Sequence, residues 1–314
     1  MANVTVFYNI TFLHEDRGIP FKAILSMTPC FFFLYINFVM LVALRSKAIF
    51  RETSRYILFT NMLFADSLQL LICMLLYMFA VVRLYISGVA CFIMVVTGGM
   101  TARISPLNLA VMSLERYVAI CFPLRHAEIA TSRRTGVAIA IVWFLGSLNS
   151  LTDVTLFVIS GSSFATIWEF CSGSMMFQLE VSADINEAFQ ILYFLVVGII
   201  IIYTYISIVV VARTAATDKA SAAKARKTVL LHLIQLLLCL ASTLFDTVVL
   251  VVNARLDRMS ALNVQYAMFL GLVIFPRCLS PLIYGLRDQN VRSLLKYYFT
   301  CGFRNTIKPI NIAL

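Results

Sequence analysis

Charge is what this sequence has least of. Only 13% of its 314 residues are charged, acidic residues number 15, and histidines number three. That is too little charge to clothe the surface of a water-soluble domain of this size. The histidines, His14, His126 and His232, fall on an early tail, a loop and a late apolar run, so they cannot form one metal site or a catalytic triad. A Gly-rich phosphate loop followed by lysine is also missing. The chain is therefore expected not to be an enzyme, and to need no metal and no cofactor. It shows no internal repeat and no paired half-helices, which argues against a transporter or channel, the main alternative among membrane proteins.

Apolar residues fill the space that charge leaves. Hydrophobic side chains make up 61% of the chain, against about 45–50% in an average soluble domain. They gather into seven runs, at 22–44, 56–82, 91–122, 135–159, 185–213, 224–253 and 264–286. Each reaches the roughly 20 residues a helix needs to cross hydrocarbon. Lipid-facing strands would alternate with a period of two and stop after about 10 residues. The expected fold class is all-α integral membrane, a seven-transmembrane helix bundle with a short amphipathic eighth helix. Residues 1–21 form an outer tail, 22–286 the bundle, and 287–314 a cytoplasmic helix and tail.

The net charge of +10 is distributed unevenly. Arg45, Lys47, Arg51 and Arg55 follow the first run; Arg125, Arg133 and Arg134 the third; Arg213, Lys219, Lys224, Arg226 and Lys227 the fifth; Arg287, Arg292, Lys296, Arg304 and Lys308 the seventh. The loop after the fourth run carries Glu169, Glu180, Asp184 and Glu187 instead. Positive loops stay in the cytosol, so a multi-pass plasma-membrane protein is predicted, with its N-terminus outside and its C-terminus inside. Membrane lipids, not nucleic acid, are the partners that this pattern suits.

Asn3-Val4-Thr5 and Asn9-Ile10-Thr11 are glycosylation acceptors on the predicted outer tail. A cleavable signal peptide is not expected, because Glu15, Asp16 and Arg17 interrupt the early apolar stretch. Of eight cysteines, Cys91 and Cys171 are the two placed on the oxidising side, and they are predicted to pair. Cys30, Cys73, Cys121, Cys239 and Cys278 read as small interior residues. For Cys301, palmitoylation and a free thiol are both open.

The third run ends in Glu115-Arg116-Tyr117-Val118-Ala119-Ile120-Cys121, followed by Pro123-Leu124-Arg125-His126 and preceded by Ala110-Val111-Met112. This resembles the signature of rhodopsin-like G-protein-coupled receptors, and in particular the odorant-receptor stretch A-V-M-A-Y-D-R-Y-V-A-I-C-x-P-L-R. Ser113-Leu114, and Glu115 for aspartate, are its departures. Asn37, Asn61 with Leu63 to Asp66, Trp143, Tyr205, Lys224 to Thr228 with His232, and Pro276 to Asp288 are similar to further family motifs, in the family's order. The outer loop holds one cysteine, not the usual three, Ser105 stands where an acid is common, and Arg277 adds a charge, so the chain resembles an outlying branch such as the odorant-receptor-like proteins of fish.

That resemblance implies a chemosensory receptor, an odorant receptor, that binds a small molecule and activates a heterotrimeric G protein. A non-olfactory peptide or lipid receptor is the alternative. Glu115, Arg116, Tyr117, Tyr205, His232 and Tyr284 would form the G-protein switch, with Glu115 or a sixth-helix group holding Arg116 at rest. Asn37, Asp66, Arg277, Ser280 and Pro281 would be the polar core and hinge, since proline cannot donate to the preceding turn.

The ligand site is expected in the outer half between the third, fifth, sixth and seventh helices. Candidates are Gly98, Gly99, Arg103, Gln190, Tyr193, Thr243, Asp246, Thr247, Tyr266 and Leu270. Buried charge costs about 2.5–3.5 kcal/mol on insertion scales. For that reason Arg277 is predicted to pair with Asp66, as a built-in cation. The segment 288–299, with Val291, Leu294, Leu295 and Phe299 opposing Arg292 and Lys296, is predicted to lie along the inner leaflet.

Overall fold

The computed structural model describes residues 19–46, 48–82, 84–160, 167–168, 171, 180–215, 234, 237–238, 241–242, 245–279 and 291–292. Its elements are α1 (Ile19–Ser46), α2 (Ala48–Glu52), α3 (Ser54–Val82), β1 (Ile86–Ser87), α4 (Gly88–Cys121), α5 (Pro123–Ile129), α6 (Ser132–Ile159), β2 (Ile167–Trp168), α7 (Glu180–Ala215), α8 (Phe245–Arg255) and α9 (Arg258–Met268). A π-helical turn, Phe269–Ile274, continues α9, and helix resumes over 275–279.

Five helices are long and apolar enough to cross a membrane: Ile24–Ser46, Ser54–Phe79, Gly88–Cys121, Ser132–Ile159 and Asp184–Val211. They coincide with the first five predicted spans. The sixth predicted span lies mostly outside the described residues, with α8 as its described end. The seventh begins at Arg258, six residues earlier than the sequence suggests. Helix ends follow capping chemistry. Ser87, Thr131 and Asp257 accept from the backbone N–H groups of Ala90, Arg134 and Ser260, three residues on.

Helix α4 is central and packs on α3, α6 and α7. Its middle is buried from Ile104 to Ala110, and Gly146 of α6 lets the two helices close. A Cβ at Gly146 would stand 3.0 Å from Ile104, the close approach that small residues permit between membrane helices. The outward faces are apolar too. Along α7, Ile191, Leu195, Ile199, Ile202, Ile206 and Val210 are all exposed, at helical spacing. An apolar stripe of that length suits hydrocarbon, not water.

Three features went unforeseen. Short helices α2 and α5 occupy loops at one end of the bundle. At the other end, Ile86↔Trp168 and Ser87↔Ile167 form an antiparallel pair, a small exception to the all-α expectation.

Candidate functional site

The two ends of α4 carry different chemistry. At its first turn Cys91 is bonded to Cys171, with Cα atoms 5.4 Å apart. The disulfide is buried among Ile86, Phe157, Phe79 and Phe92. The predicted pairing is therefore present, and with the β1–β2 pair it ties the loop before α7 to the start of α4.

At the other end, Glu115 Oε2 lies 3.4 Å from Arg116 Nε, and Glu115 Oε1 lies 3.3 Å from His126 Nε2. The acid thus lies against the arginine, one of the two partners expected for it, and also against His126 of α5, which the sequence places on a loop. Arg116 Nη2 is buried with no hydrogen-bond partner. Among the described residues its guanidinium is gripped from one side only, through Nε. Tyr117 meets Tyr203 of α7, hydroxyl to hydroxyl at 3.4 Å, and its ring packs edge-on against Phe122. Tyr205, the residue singled out from the sequence, is half-buried two positions further on. His232 and Tyr284 lie outside the described residues.

Between these ends runs a chain of interior polar groups. Asn61 of α3 donates to Asn108 of α4 (3.1 Å) and accepts from Trp143 of α6 (2.9 Å). Asp66 Oδ1 accepts from Ser105 Oγ at 2.6 Å. The side-chain amide of Asn37 is fully buried with no partner for either of its polar atoms.

Here one expectation is overturned: Arg277 and Asp66 do not pair. Arg277 Nη1 donates to Val273 O, 2.6 Å away and one turn towards the disulfide end. The reason is geometric, since a side chain on a helix leans towards the preceding turn, and the guanidinium turns back along its own helix to the Val273 carbonyl. Ser280 and Pro281 lie outside the described residues. The described deformation of the span is the π-helical turn just before Pro276, and such turns are recognised sites of helix bending.

Of the ligand-site candidates, Gly99, Arg103 and Tyr193 lie together, and Tyr266 and Leu270 face α1 and α3. Arg103 donates to Gly99 O (2.8 Å) and to Asn186 Oδ1 (3.4 Å). A Cβ at Gly99 would sit 3.3 Å from the Arg103 guanidinium. Tyr193 spends its hydroxyl on Leu145 O of α6. Tyr266 bonds Ser26 of α1, and Leu270 packs against the cluster of Cys30 and Leu70. Gly98 lies against Ile72, and Gln190 is half-buried. Thr243 and the side chains of Asp246 and Thr247 lie outside the described residues.

Sequence reasoning missed the hub around Arg103. Asn186 accepts from Arg103 and Asn149, and donates to Asp153 Oδ1 at 3.0 Å, which also accepts from Ser182 at 2.7 Å. An aspartate inside the fourth apolar run was a legible signal. The partners on α7 were not.

A helical bundle with apolar outward faces and polar groups strung through its interior is a multi-pass membrane protein. Residues 37–284 match the family described as 7 transmembrane receptor (rhodopsin family), and the chain belongs to that family of receptors. Within it the chain is odorant-receptor-like. It is 37% identical to Odorant receptor 131-2 of Danio rerio over 274 residues, 86% of this chain and 83% of the relative. It is 28% identical to Olfactory receptor-like protein COR4 of Gallus gallus, over 82% and 83%. To Olfactory receptor 7G2 of Homo sapiens it is 29% identical, over 60% and 59%.

Proposed function

We propose that this chain is a chemosensory receptor that binds a small, odorant-like molecule near the disulfide end of its bundle and activates a heterotrimeric G protein at the Arg116 end. The contact that carries the proposal is Arg116 held from one side by Glu115, with Nη2 buried and unpartnered. Such a guanidinium gains by finding an acceptor elsewhere, so a conformation that offers one is within reach of a ligand's differential affinity. His126 adds a second grip on Glu115 from α5, so the same acid links the switch to a loop that a G protein would touch.

The finer architecture belongs to this reading. It has seven spans, an eighth amphipathic helix over 288–299, an outer tail glycosylated at Asn3 and Asn9, and residence in the plasma membrane with the C-terminus in the cytosol. Val291 is buried and Arg292 exposed, which suits the amphipathic segment. The test is nucleotide exchange on a purified G protein by receptor in nanodiscs. Wild type should stimulate exchange and Arg116→Ala should not, at equal folded receptor. Equal stimulation by both removes the switch assignment.

A further inference from the structure

Two helices of the bundle begin side by side at the Arg116 end. The hydroxyls of Ser54, at the start of α3, and Thr135, in the first turn of α6, lie 2.8 Å apart, and both residues are buried. That contact gathers the arginines that flank it in sequence: Arg51 on α2, Arg55 on α3, and Arg133 and Arg134 on α6. Arg51, Arg133 and Arg134 are exposed. Among the described residues, none of these three has a carboxylate oxygen within ion-pairing distance. Arg55 is steadied by Tyr56, whose ring its guanidinium overlies at 4.8 Å and whose hydroxyl its Nη2 meets at 2.9 Å. Arg134 Nη1 donates to Glu128 O at 3.0 Å, which orients the side chain and leaves its charge unbalanced.

The patch runs on into lipid-facing surface. Arg133, Val137, Ile141 and Phe144 recur on one face of α6 at helical spacing, and all four are exposed. Basic residues at the cytosolic ends of spans are general in membrane proteins and need no particular ligand. Four arginines from three helices converging on one contact, with an apolar track leading away from them, form something narrower. A guest that fits this face has a strongly anionic head and an apolar tail.

We propose that the starts of α3 and α6 form a binding site for a polyphosphorylated lipid of the inner leaflet, such as a phosphoinositide. Its head sits among Arg51, Arg55, Arg133 and Arg134, and an acyl chain lies along Val137, Ile141 and Phe144. The proposal rests on the receptor reading, which places the Arg116 end in the cytosol. A headgroup with a single negative charge would balance one arginine and leave the others in mutual repulsion, whereas several phosphates offer each guanidinium an acceptor of matching geometry. A soluble inositol phosphate has the head but nothing to cover the apolar track.

The experiment offers full-length receptor in neutral detergent three ligands: phosphatidylinositol bisphosphate, phosphatidylserine at equal total charge, and soluble inositol trisphosphate. Native mass spectrometry reads the bound fraction of each. The bisphosphate lipid should bind wild type about tenfold or more tightly than either competitor. Arg51→Gln and Arg133→Gln should each weaken it about fivefold, the weight of one basic residue against an anionic headgroup. Val137→Ser with Ile141→Ser should weaken the lipid and leave inositol trisphosphate unchanged. Arg255→Gln, where α8 ends, should change nothing. Equal affinity for phosphatidylserine, or no loss in either arginine variant, reduces the patch to general attraction for anionic membrane and overturns the proposal. Inositol trisphosphate bound as tightly as the lipid overturns it in favour of a soluble phosphate. Nucleotide exchange measured on the same receptor in nanodiscs separates the two readings. Exchange that depends on Arg116, without preferential lipid binding, sinks the lipid site and leaves the receptor reading intact. Lipid binding lost in the arginine variants, without Arg116-dependent exchange, upholds the site and removes that reading.

Discussion

Ser105 Oγ lies 2.6 Å from Asp66 Oδ1, joining α4 to α3 through a carboxylate that is 1% exposed. The serine, standing where related receptors commonly carry an acid, is thus a donor to the buried aspartate. Ser105→Ala removes the donor and leaves the charge in place. It should destabilise the receptor by about 1.5–3 kcal/mol, the range for hydrogen bonds to charged groups. A lowered Tm checks this, and in an Asp66→Asn background the same substitution should cost less.

The Cys91–Cys171 disulfide spans 80 residues of chain. Closing a loop of that length restricts the unfolded state by about 4–5 kcal/mol in the chain-entropy treatment. Cys91→Ser and Cys171→Ser should therefore each lose most surface expression, scored by antibody on intact cells. The double variant should be no worse than either single one, since one bond is lost in all three.

Asn186 is the hinge-pin of the interior hub, accepting from Arg103 and donating to Asp153. Asn186→Ala strands groups on three helices and should cost about 3–5 kcal/mol, comparable to breaking a buried charged pair. Asn186→Asp should also be damaging, because its new oxygen faces Asp153. The exchange Asn186→Asp with Asp153→Asn restores a donor at that contact and pairs Arg103 directly. Its Tm should recover most of the loss, and additive damage would show that the hub is not a unit.

At the switch, Glu115→Gln should raise basal nucleotide exchange a few-fold. The contact is partly solvated, Arg116 being 20% exposed, so a figure near 1 kcal/mol is the ceiling. His126→Phe should raise basal exchange less, because it removes one of two grips on Glu115 and leaves the other. Basal exchange higher in His126→Phe than in Glu115→Gln would reverse the assigned order of contacts.

The sequence by itself determined that the chain crosses a membrane as helices, because hydropathy and the scarcity of charge are properties of the chain in one dimension. Five spans and the cysteine pair were legible for that reason, as was Arg116, whose neighbours in sequence are its neighbours in space. Which polar side chains meet across the bundle was left to the tertiary structure. Arg103 and Asn186 are 83 residues apart, and Arg277 turns to Val273 and not to Asp66. In a soluble helix, an apolar stripe against a polar face announces which side is buried. Here the lipid-facing and core-facing sides are both largely apolar, with a few polar groups inside, so the rotation of each helix is set by packing details. The fit of Gly146 against Ile104 is one of them, and no reading of composition or period reveals it.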